Sequence, residues 1–155
     1  MKHKLRDRSF INLMNETIFS KLDANFSKHP VLVAGPASEA TVTQIETWIG
    51  FTLPDDYKAF VTRYGGAIVG PYSVFGHGAS DAMGDDESSA IRVTERFRSQ
   101  RWPGCESTLV ISMDHAGNAI TLDQQGFVHR YDHDSGTTEQ LAVSFEDFIN
   151  WCLKQ

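Results

Sequence analysis

Histidines and acidic residues stand close together at two places in the second half of the chain. One is Asp114-His115, and the other is a run that holds His129, Tyr131, Asp132, His133 and Asp134. These residue types serve as metal ligands and as acid–base catalysts. On a predicted strand the backbones of His129 and His133 lie roughly 13 Å apart, which is too far for one ion. We therefore interpret each histidine as a polar strand or turn residue.

The sequence also lacks the patterns of a nucleophilic or phosphate-binding enzyme. No G-x-S-x-G elbow is present, Cys105 lies in a predicted loop, and Cys152 lies on the core face of a predicted helix. No Gly-Lys-Ser/Thr follows the glycine-rich region, and no G-x-G-x-x-G joins a strand to a helix. We interpret the glycines as turns and close backbone approaches: Gly65, Gly66, Gly70, Gly76, Gly78 and Gly84. The sequence therefore predicts a protein that is not an enzyme and has no cofactor or metal.

Acidic residues are concentrated in the stretch GASDAMGDDESS, which is predicted to be an exposed loop. They are Asp81, Asp85, Asp86 and Glu87. Arginines follow on the next predicted helix and just after it: Arg92, Arg96, Arg98 and Arg101. One interpretation is a solvated loop beside a salt-bridged helix surface, and the other is a contact surface for a partner. The sequence leaves both interpretations open.

Three aromatic residues, Tyr64, Tyr72 and Phe75, surround the glycine turns. They could line a cleft, or they could fill the core, as most aromatic side chains do because of their large apolar area. The core interpretation is favoured. Tyr64 and Tyr72 nevertheless remain candidate partner contacts, together with the acidic loop.

Composition and charge limit the kind of partner. The chain has 155 residues, of which 41% are hydrophobic, which suits one globular domain with its own core. The net charge is −6, although residues 2–8 hold four of the 14 lysines and arginines. Most of this surface would repel a nucleic acid, and it suits either solubility alone or a basic protein partner.

Cysteine usage and hydropathy bear on the location of the protein. Two isolated cysteines are too few for a disulfide framework. No apolar signal region follows the basic start MKHKLRDRSF, and no apolar run is long enough to span a bilayer. We therefore expect a cytoplasmic protein with no membrane partner.

Apolar periodicity predicts three helices in the first half of the chain. The first runs from near Ser9 to Asn25, with Phe10, Leu13, Met14, Ile18 and Leu22 on one face. A connector with a short extended piece at 31–33 leads to a second helix. In this helix Thr41 and Gln44 have the spacing of a capping box. Its buried stripe consists of Val42, Ile45, Trp48 and Ile49. The third helix starts at Pro54, buries Tyr57, Phe60, Val61 and Tyr64, and ends at Gly65 and Gly66.

The second half is predicted to be mainly strands. The first pair of strands is formed by AIV and YSVF, and a helix follows over DDESSAIRVTERFRSQRW. An antiparallel meander is then predicted from three strands, TLVISM, NAITLD and FVHRYDH. A last helix opens with a capping box at Ser144 and Asp147 and a staple at Val143 and Phe148, and its core face is Phe148, Ile149, Cys152 and Leu153. The sequence thus predicts a single α+β domain: a twisted antiparallel sheet with helices packed on it, in which residues 1–37 supply a helix and connector and residues 38–155 the core.

Four stretches stand in a characteristic order: ETWIGFTLPDDYKAFVTRYGG, VISMDHAGNAITLD, FVHRYDHD and LAVSFEDFINWCL. In this order and spacing they resemble the SUKH superfamily, the Smi/Knr-type domain, over roughly Ser38 to Leu153. The matching positions are Glu46, Ile49, Gly50, Leu53, Pro54, Asp55 to Tyr57, Phe60, Gly65, Gly66, Asp114, Gly117, Asn118, Val128, Asp132 to Asp134 and Ser144 to Phe148. The chain departs from the pattern at Tyr64, where many relatives have Asn, and in the acidic loop, which has no counterpart.

The resemblance implies a SUKH-like fold and a binding domain without catalysis. Bacterial domains of this kind are similar to immunity proteins, which neutralise a cognate toxin, often a nuclease, by direct binding; eukaryotic relatives act in cell-wall regulation. It therefore implies a toxin as partner, expected to be basic, that is contacted by variable loops and the sheet face. The alternative is a general protein-interaction module in signalling or cell-envelope regulation, and an enzyme that uses the Asp/His cluster is a distant third. The oligomeric state stays open.

Overall fold

The computed structural model describes residues 14–84 and 87–155 of the chain. Within those ranges it contains five α-helices and six β-strands. The helices are α1 Glu16–Lys28, α2 Glu39–Ile49, α3 Asp55–Tyr64, α4 Ala90–Ser99 and α5 Phe145–Leu153. The strands are β1 Ala67–Val69, β2 Tyr72–Val74, β3 Leu109–Met113, β4 Ala119–Leu122, β5 Val128–Asp132 and β6 Thr137–Ala142. Short 3₁₀ turns, Pro30–Leu32 and Asp81–Met83, precede α2 and α4.

The strands form one antiparallel sheet in the order β1-β2-β3-β4-β5-β6. Each strand pairs with the next one along the chain, so the sheet is a meander. Bulges shift the register between Val110 and Ser112 and between Val128 and His129, and bulges increase the local twist. All of β4 is buried, and so is β3 except for Met113, because both faces are covered at the middle of the sheet. The prediction of a single α+β domain with an antiparallel sheet is confirmed.

Helix α3 forms where the sequence predicts it, except that it begins at Asp55, one residue after the predicted start at Pro54. Pro54 stands immediately before the first helical residue, and the acids of the first turn interact favourably with the positive end of the helix dipole. Gly65 ends the helix in the left-handed conformation, with a φ of 75°. The four predicted apolar residues, Tyr57, Phe60, Val61 and Tyr64, are all buried.

The core joins α3 to α5 and to the first two strands. The ring of Phe145 lies edge-on to both Tyr57 and Phe60, with centroids 5.0 and 5.2 Å apart. The Tyr57 hydroxyl donates a hydrogen bond to the carbonyl of Phe75, at 2.8 Å. The carboxylate of Asp56 accepts the backbone N–H of Glu146, at 3.0 Å, which fixes the start of α5 against the start of α3.

The helix starts and caps differ from the predictions in three places. Among the described residues, helix α1 begins at Glu16, with Asn15 as its cap, so Met14 precedes this helix. The predicted start near Ser9 lies outside the described residues, and so do the predicted positions Phe10 and Leu13. Helix α2 is capped by Ser38, whose hydroxyl accepts the N–H of Thr41, and not by Thr41 itself. Helix α4 begins at Ala90 because the hydroxyl of Ser89 accepts the N–H of Arg92.

Other differences concern exposed residues. The sixth strand, β6, was not predicted, because four of its six residues are exposed and polar and show no apolar alternation. The segment 31–33 forms part of a 3₁₀ turn and a single bridge from Val33 to Ala67 instead of a strand. In α5, Ser144 caps the helix as predicted, but Val143 is 59% exposed and Leu153 37%, so neither belongs to the core.

Candidate functional site

The acidic loop connects the end of β2 to the start of α4. Asp81 and Glu87 are exposed, while Asp85 and Asp86 lie outside the described residues. Asp81 opens the 3₁₀ turn, and the carboxylate of Glu87 lies 3.6 Å from Nε of Arg92. The structure therefore contains one of the salt bridges expected of a solvated loop beside a helix, and it leaves Asp81 at the surface.

The base of this loop is held by backbone hydrogen bonds to elements that are distant in sequence. The N–H of His77 donates to the carbonyl of Gly65, at 2.7 Å, and the N–H of Ala90 donates to the carbonyl of Gly76, at 2.8 Å. A Cβ added at Gly76 would lie 2.2 Å from the carbonyl oxygen of Gly65, so the two chain segments cross in direct backbone contact. The interpretation of these glycines as close backbone approaches is confirmed at Gly65, Gly66, Gly70 and Gly76.

Tyr64 lies in the core between α1 and α3. Its ring contacts Phe26 and Phe60, at centroid distances of 4.9 and 5.3 Å, and its side chain is 4% exposed. Its hydroxyl donates to Oδ1 of Asp23, at 2.7 Å. Burial and this hydrogen bond both raise the pKa of Tyr64. These contacts favour the core interpretation, and a direct role of Tyr64 in binding stays a prediction.

Tyr72 occupies the opposite end of β2 from the acidic loop. Its ring stacks on His115 with an interplanar angle of 7° and contacts Trp151 of α5, at 5.0 Å. The side chain is 8% exposed, and burial raises its pKa. Among the described residues, Tyr72 is therefore separated from the acidic loop by the length of β2, and it packs against His115 and Trp151.

The histidine and acid positions have structural roles. Nε2 of His129 lies 3.0 Å from Oδ2 of Asp123. The backbone N–H of His133 donates to Oδ1 of Asn118, also at 3.0 Å. Asp114 holds the turn that follows β3 by accepting the N–H groups of Ala116 and Asn118. Among the described residues, no cluster of three or more His, Cys, Asp or Glu side chains could hold a metal ion.

The cysteine thiols are buried as well. Burial raises the pKa of Cys105 to about 11, because desolvation disfavours the thiolate. A thiol with a raised pKa is a poor nucleophile at neutral pH.

A groove between α2 and α4 adjoins the acidic loop, and the sequence did not indicate it. Its volume is about 460 Å³, and its lining includes Ile45, Trp48, His77, Ile91, Arg92 and Glu95. Trp48 was predicted to lie in a buried stripe, but its side chain is only half-buried. The guanidinium of Arg98 lies over its ring, at 4.8 Å from the centroid. The groove joins two helices that are forty or more residues apart along the chain, which no local pattern records.

The fold is an α+β domain with an acidic loop beside a groove between two helices. Residues 36–151 match the model of the SMI1 / KNR4 family (SUKH-1), and the chain belongs to that family. The comparison with curated proteins gave no match. Among the helices that the structure describes, none is long and apolar enough to cross a membrane.

Proposed function

We propose that the protein is a non-catalytic immunity-type protein, which neutralises a cognate toxin by binding it directly in the cytoplasm. Family membership supports a protein partner in general. The single observation that carries the proposal further is the acidic loop, which projects Asp81 and Glu87 beside the groove between α2 and α4.

The charge of the partner follows from the chemistry of nucleases. A toxin that acts on nucleic acid must neutralise phosphates, so its active-site surface is basic. The net charge of −6 and the acidic loop would attract such a surface and could cover its active site. The same charge would repel a nucleic acid, which is therefore not proposed as a ligand.

The loop is expected to act mainly on the rate of association. Charges at the edge of an interface steer the encounter, and salt screens them over about 10 Å at 0.1 M ionic strength. Replacement of Asp85, Asp86 and Glu87 together by Ala should slow association with the toxin at low salt and flatten its salt dependence. The stability of the fold should change little, because Glu87 is exposed and its ion pair with Arg92 lies at the surface.

The experiment takes the product of the neighbouring gene as the candidate toxin, with association followed by surface-based kinetics at several salt concentrations. The matched control replaces Glu39, Asp134 and Asp147 by Ala, three exposed acids elsewhere that give the same change in net charge. The control should associate at nearly the wild-type rate. Equal rates for the loop variant and the wild type at low salt would remove the loop from the interface. Failure of the wild type to bind or inhibit the toxin would reject the immunity function itself.

A further inference from the structure

We propose that the C-terminal end of α4 is a second docking surface, which takes an acidic segment of a partner protein. The surface consists of Arg98 and Arg101 together with Trp48 and Trp102, and we call it the arginine surface. This proposal does not depend on which partner binds the acidic loop.

The arginine surface has positive charge that the fold does not neutralise. The chain has 20 acidic residues against 14 lysines and arginines, so carboxylates are in excess. In the described part of the chain, the salt bridges nevertheless include none to Arg96, Arg98 or Arg101. Arg98 donates instead to the carbonyl of Cys105, at 2.8 Å, and lies over Trp48. Arg96 contacts Sδ of Met113 instead, at 3.4 Å. The guanidinium groups of Arg98 and Arg101 line one cleft at the end of the helix, and neither has a salt bridge to a carboxylate of the described residues.

The backbone at Arg101 gives a second, independent reason. Its φ is 59°, and it is the one non-glycine residue with a positive φ in the described ranges. The N–H of Trp102 donates to the carbonyl of Phe97, at 3.1 Å, which is the hydrogen bond of a helix end that normally has glycine at this position. An L side chain is strained there. Arg101 is exposed, and its backbone N–H donates to the carbonyl of Arg98, at 3.0 Å. Its guanidinium makes no hydrogen bond or salt bridge to the residues that the structure describes, so the fold gains nothing visible from that group.

The surroundings of Arg101 have the residue types of a binding surface. A cleft of about 390 Å³ is lined by Arg98, Arg101, Trp102, Pro103 and Glu106. Trp102 is half-buried, and its ring is fixed edge-on against Phe97, at 4.8 Å. Tryptophan and arginine contribute most to the energy of protein interfaces, because they combine apolar area with hydrogen bonding. A half-exposed tryptophan held rigidly beside guanidinium groups that have no salt bridge therefore offers a preformed contact.

The chemistry of the surface selects a carboxylate-bearing protein segment. A guanidinium pairs with a carboxylate through two parallel hydrogen bonds. A nucleic acid is disfavoured, because the ten-residue helix α4 extends only about 15 Å before the acidic loop begins and repels a continuous polyanion. Glu106, which lines the same cleft, also repels a nucleic acid. A segment with spaced carboxylates and apolar side chains between them fits both the arginines and the tryptophans.

The first test titrates the intact protein with a synthetic peptide in which Glu alternates with Leu and Phe. Binding is followed by the NMR signals of the indole N–H groups. We expect saturable shifts of the Trp48 and Trp102 signals and none of Trp151, which lies on α5. The same peptide with Gln in place of Glu should not bind. Equal binding of the Gln peptide, or shifts confined to Trp151, would overturn the proposal.

The second test uses Arg101→Gly, which removes the guanidinium and leaves a residue that prefers the observed backbone. Peptide binding should weaken about tenfold, and the protein should remain fully folded. Lys28→Gln is the matched control, since it removes one exposed positive charge from the end of another helix, and it should bind like the wild type. Three outcomes would each reject an acidic segment as the occupant. The first is unchanged peptide binding by Arg101→Gly, and the second is binding of double-stranded DNA at the same indole signals. The third is self-association of the protein that Arg101→Gly abolishes while no peptide binds.

Discussion

Arg101 holds a backbone conformation that its own side chain disfavours. A residue with a Cβ in the left-handed conformation costs roughly 1–2 kcal/mol, and glycine avoids this strain. Glycine in turn costs about 0.5–1 kcal/mol, because it loses more conformational entropy on folding. Arg101→Gly should therefore raise the free energy of unfolding by about 0.5–1 kcal/mol. Urea titration measures it as a higher midpoint at an unchanged slope. Arg101→Ala keeps the Cβ and should stay near the wild type; an alanine variant more stable than the glycine variant would contradict the assignment of strain.

Asp23 links α1 to the end of α3. Burial alone would raise its pKa, but the hydrogen bonds from Arg63 and Tyr64 outweigh burial and hold the pKa below its ordinary value. A lowered pKa means that the folded state favours the carboxylate. Its contribution is therefore present above the unfolded pKa of about 3.9 and is lost as the pH falls through the lower folded value.

Asp23→Asn tests this sign directly. The pair is half-exposed, so the loss at neutral pH should be about 0.5–1 kcal/mol, as for other surface ion pairs. The difference from the wild type should shrink as the pH is lowered toward about 2, because the wild-type carboxylate is then protonated too. Urea titrations at a series of pH values give the comparison. A difference that stays constant with pH would mean that Asp23 acts through packing and not through charge.

At the scale of elements, α3 is held mainly by its apolar face. Phe60 is fully buried and contacts the rings of Tyr64 and Phe145. Phe60→Ala should lower the free energy of unfolding by about 3–5 kcal/mol, as other large-to-small core changes do. Asp55 lies in the exposed first turn, and Asp55→Ala should cost only about 0.3–1 kcal/mol. Small and equal losses in a denaturant titration would contradict the observed packing of the helix.

The elements that were predicted correctly have strong local signals. Helix α3 has Pro54 at its start, an apolar stripe, and Gly65 at its end, so each local preference agrees with the fold. Strand β6 has no such signal, because its Thr, Glu and Gln residues face solvent and only pairing with β5 orders them. The start of α2 was misplaced because Ser38 and Thr41 both offer a hydroxyl near the cap, and tertiary packing decides between them.

At the scale of the whole molecule, the candidate site was predicted only in part. The acidic loop is a compositional feature, so its charge could be predicted from the sequence. The core position of Tyr64 and Tyr72 was the favoured interpretation, and both are buried. Their contacts with Asp23 and His115 could not be predicted, because those residues reach them from segments about forty residues away. The groove between α2 and α4 and the cleft at Arg101 exist only because the chain folds distant helices and loops against each other.

The crossing of Gly65 and Gly76 connects these distant parts. It fixes the end of α3 against the base of the acidic loop, and Gly76 also lines the groove between α2 and α4. Gly76→Ala would place its Cβ against the carbonyl oxygen of Gly65, which is backbone and cannot move as a side chain can. The variant should lose about 2–3 kcal/mol of stability, because relief of the overlap must separate the two segments.

Gly78→Ala is the matched control, only two residues away. A Cβ at Gly78 meets no atom within 4 Å, and its φ lies outside the left-handed region. Alanine there should be neutral or should stabilise by about 0.4–1 kcal/mol, since it restricts the unfolded chain. Thermal and urea unfolding of the two variants give the comparison. Similar stabilities would mean that the loop base can shift freely away from α3, and the groove beside it would then not be a preformed surface.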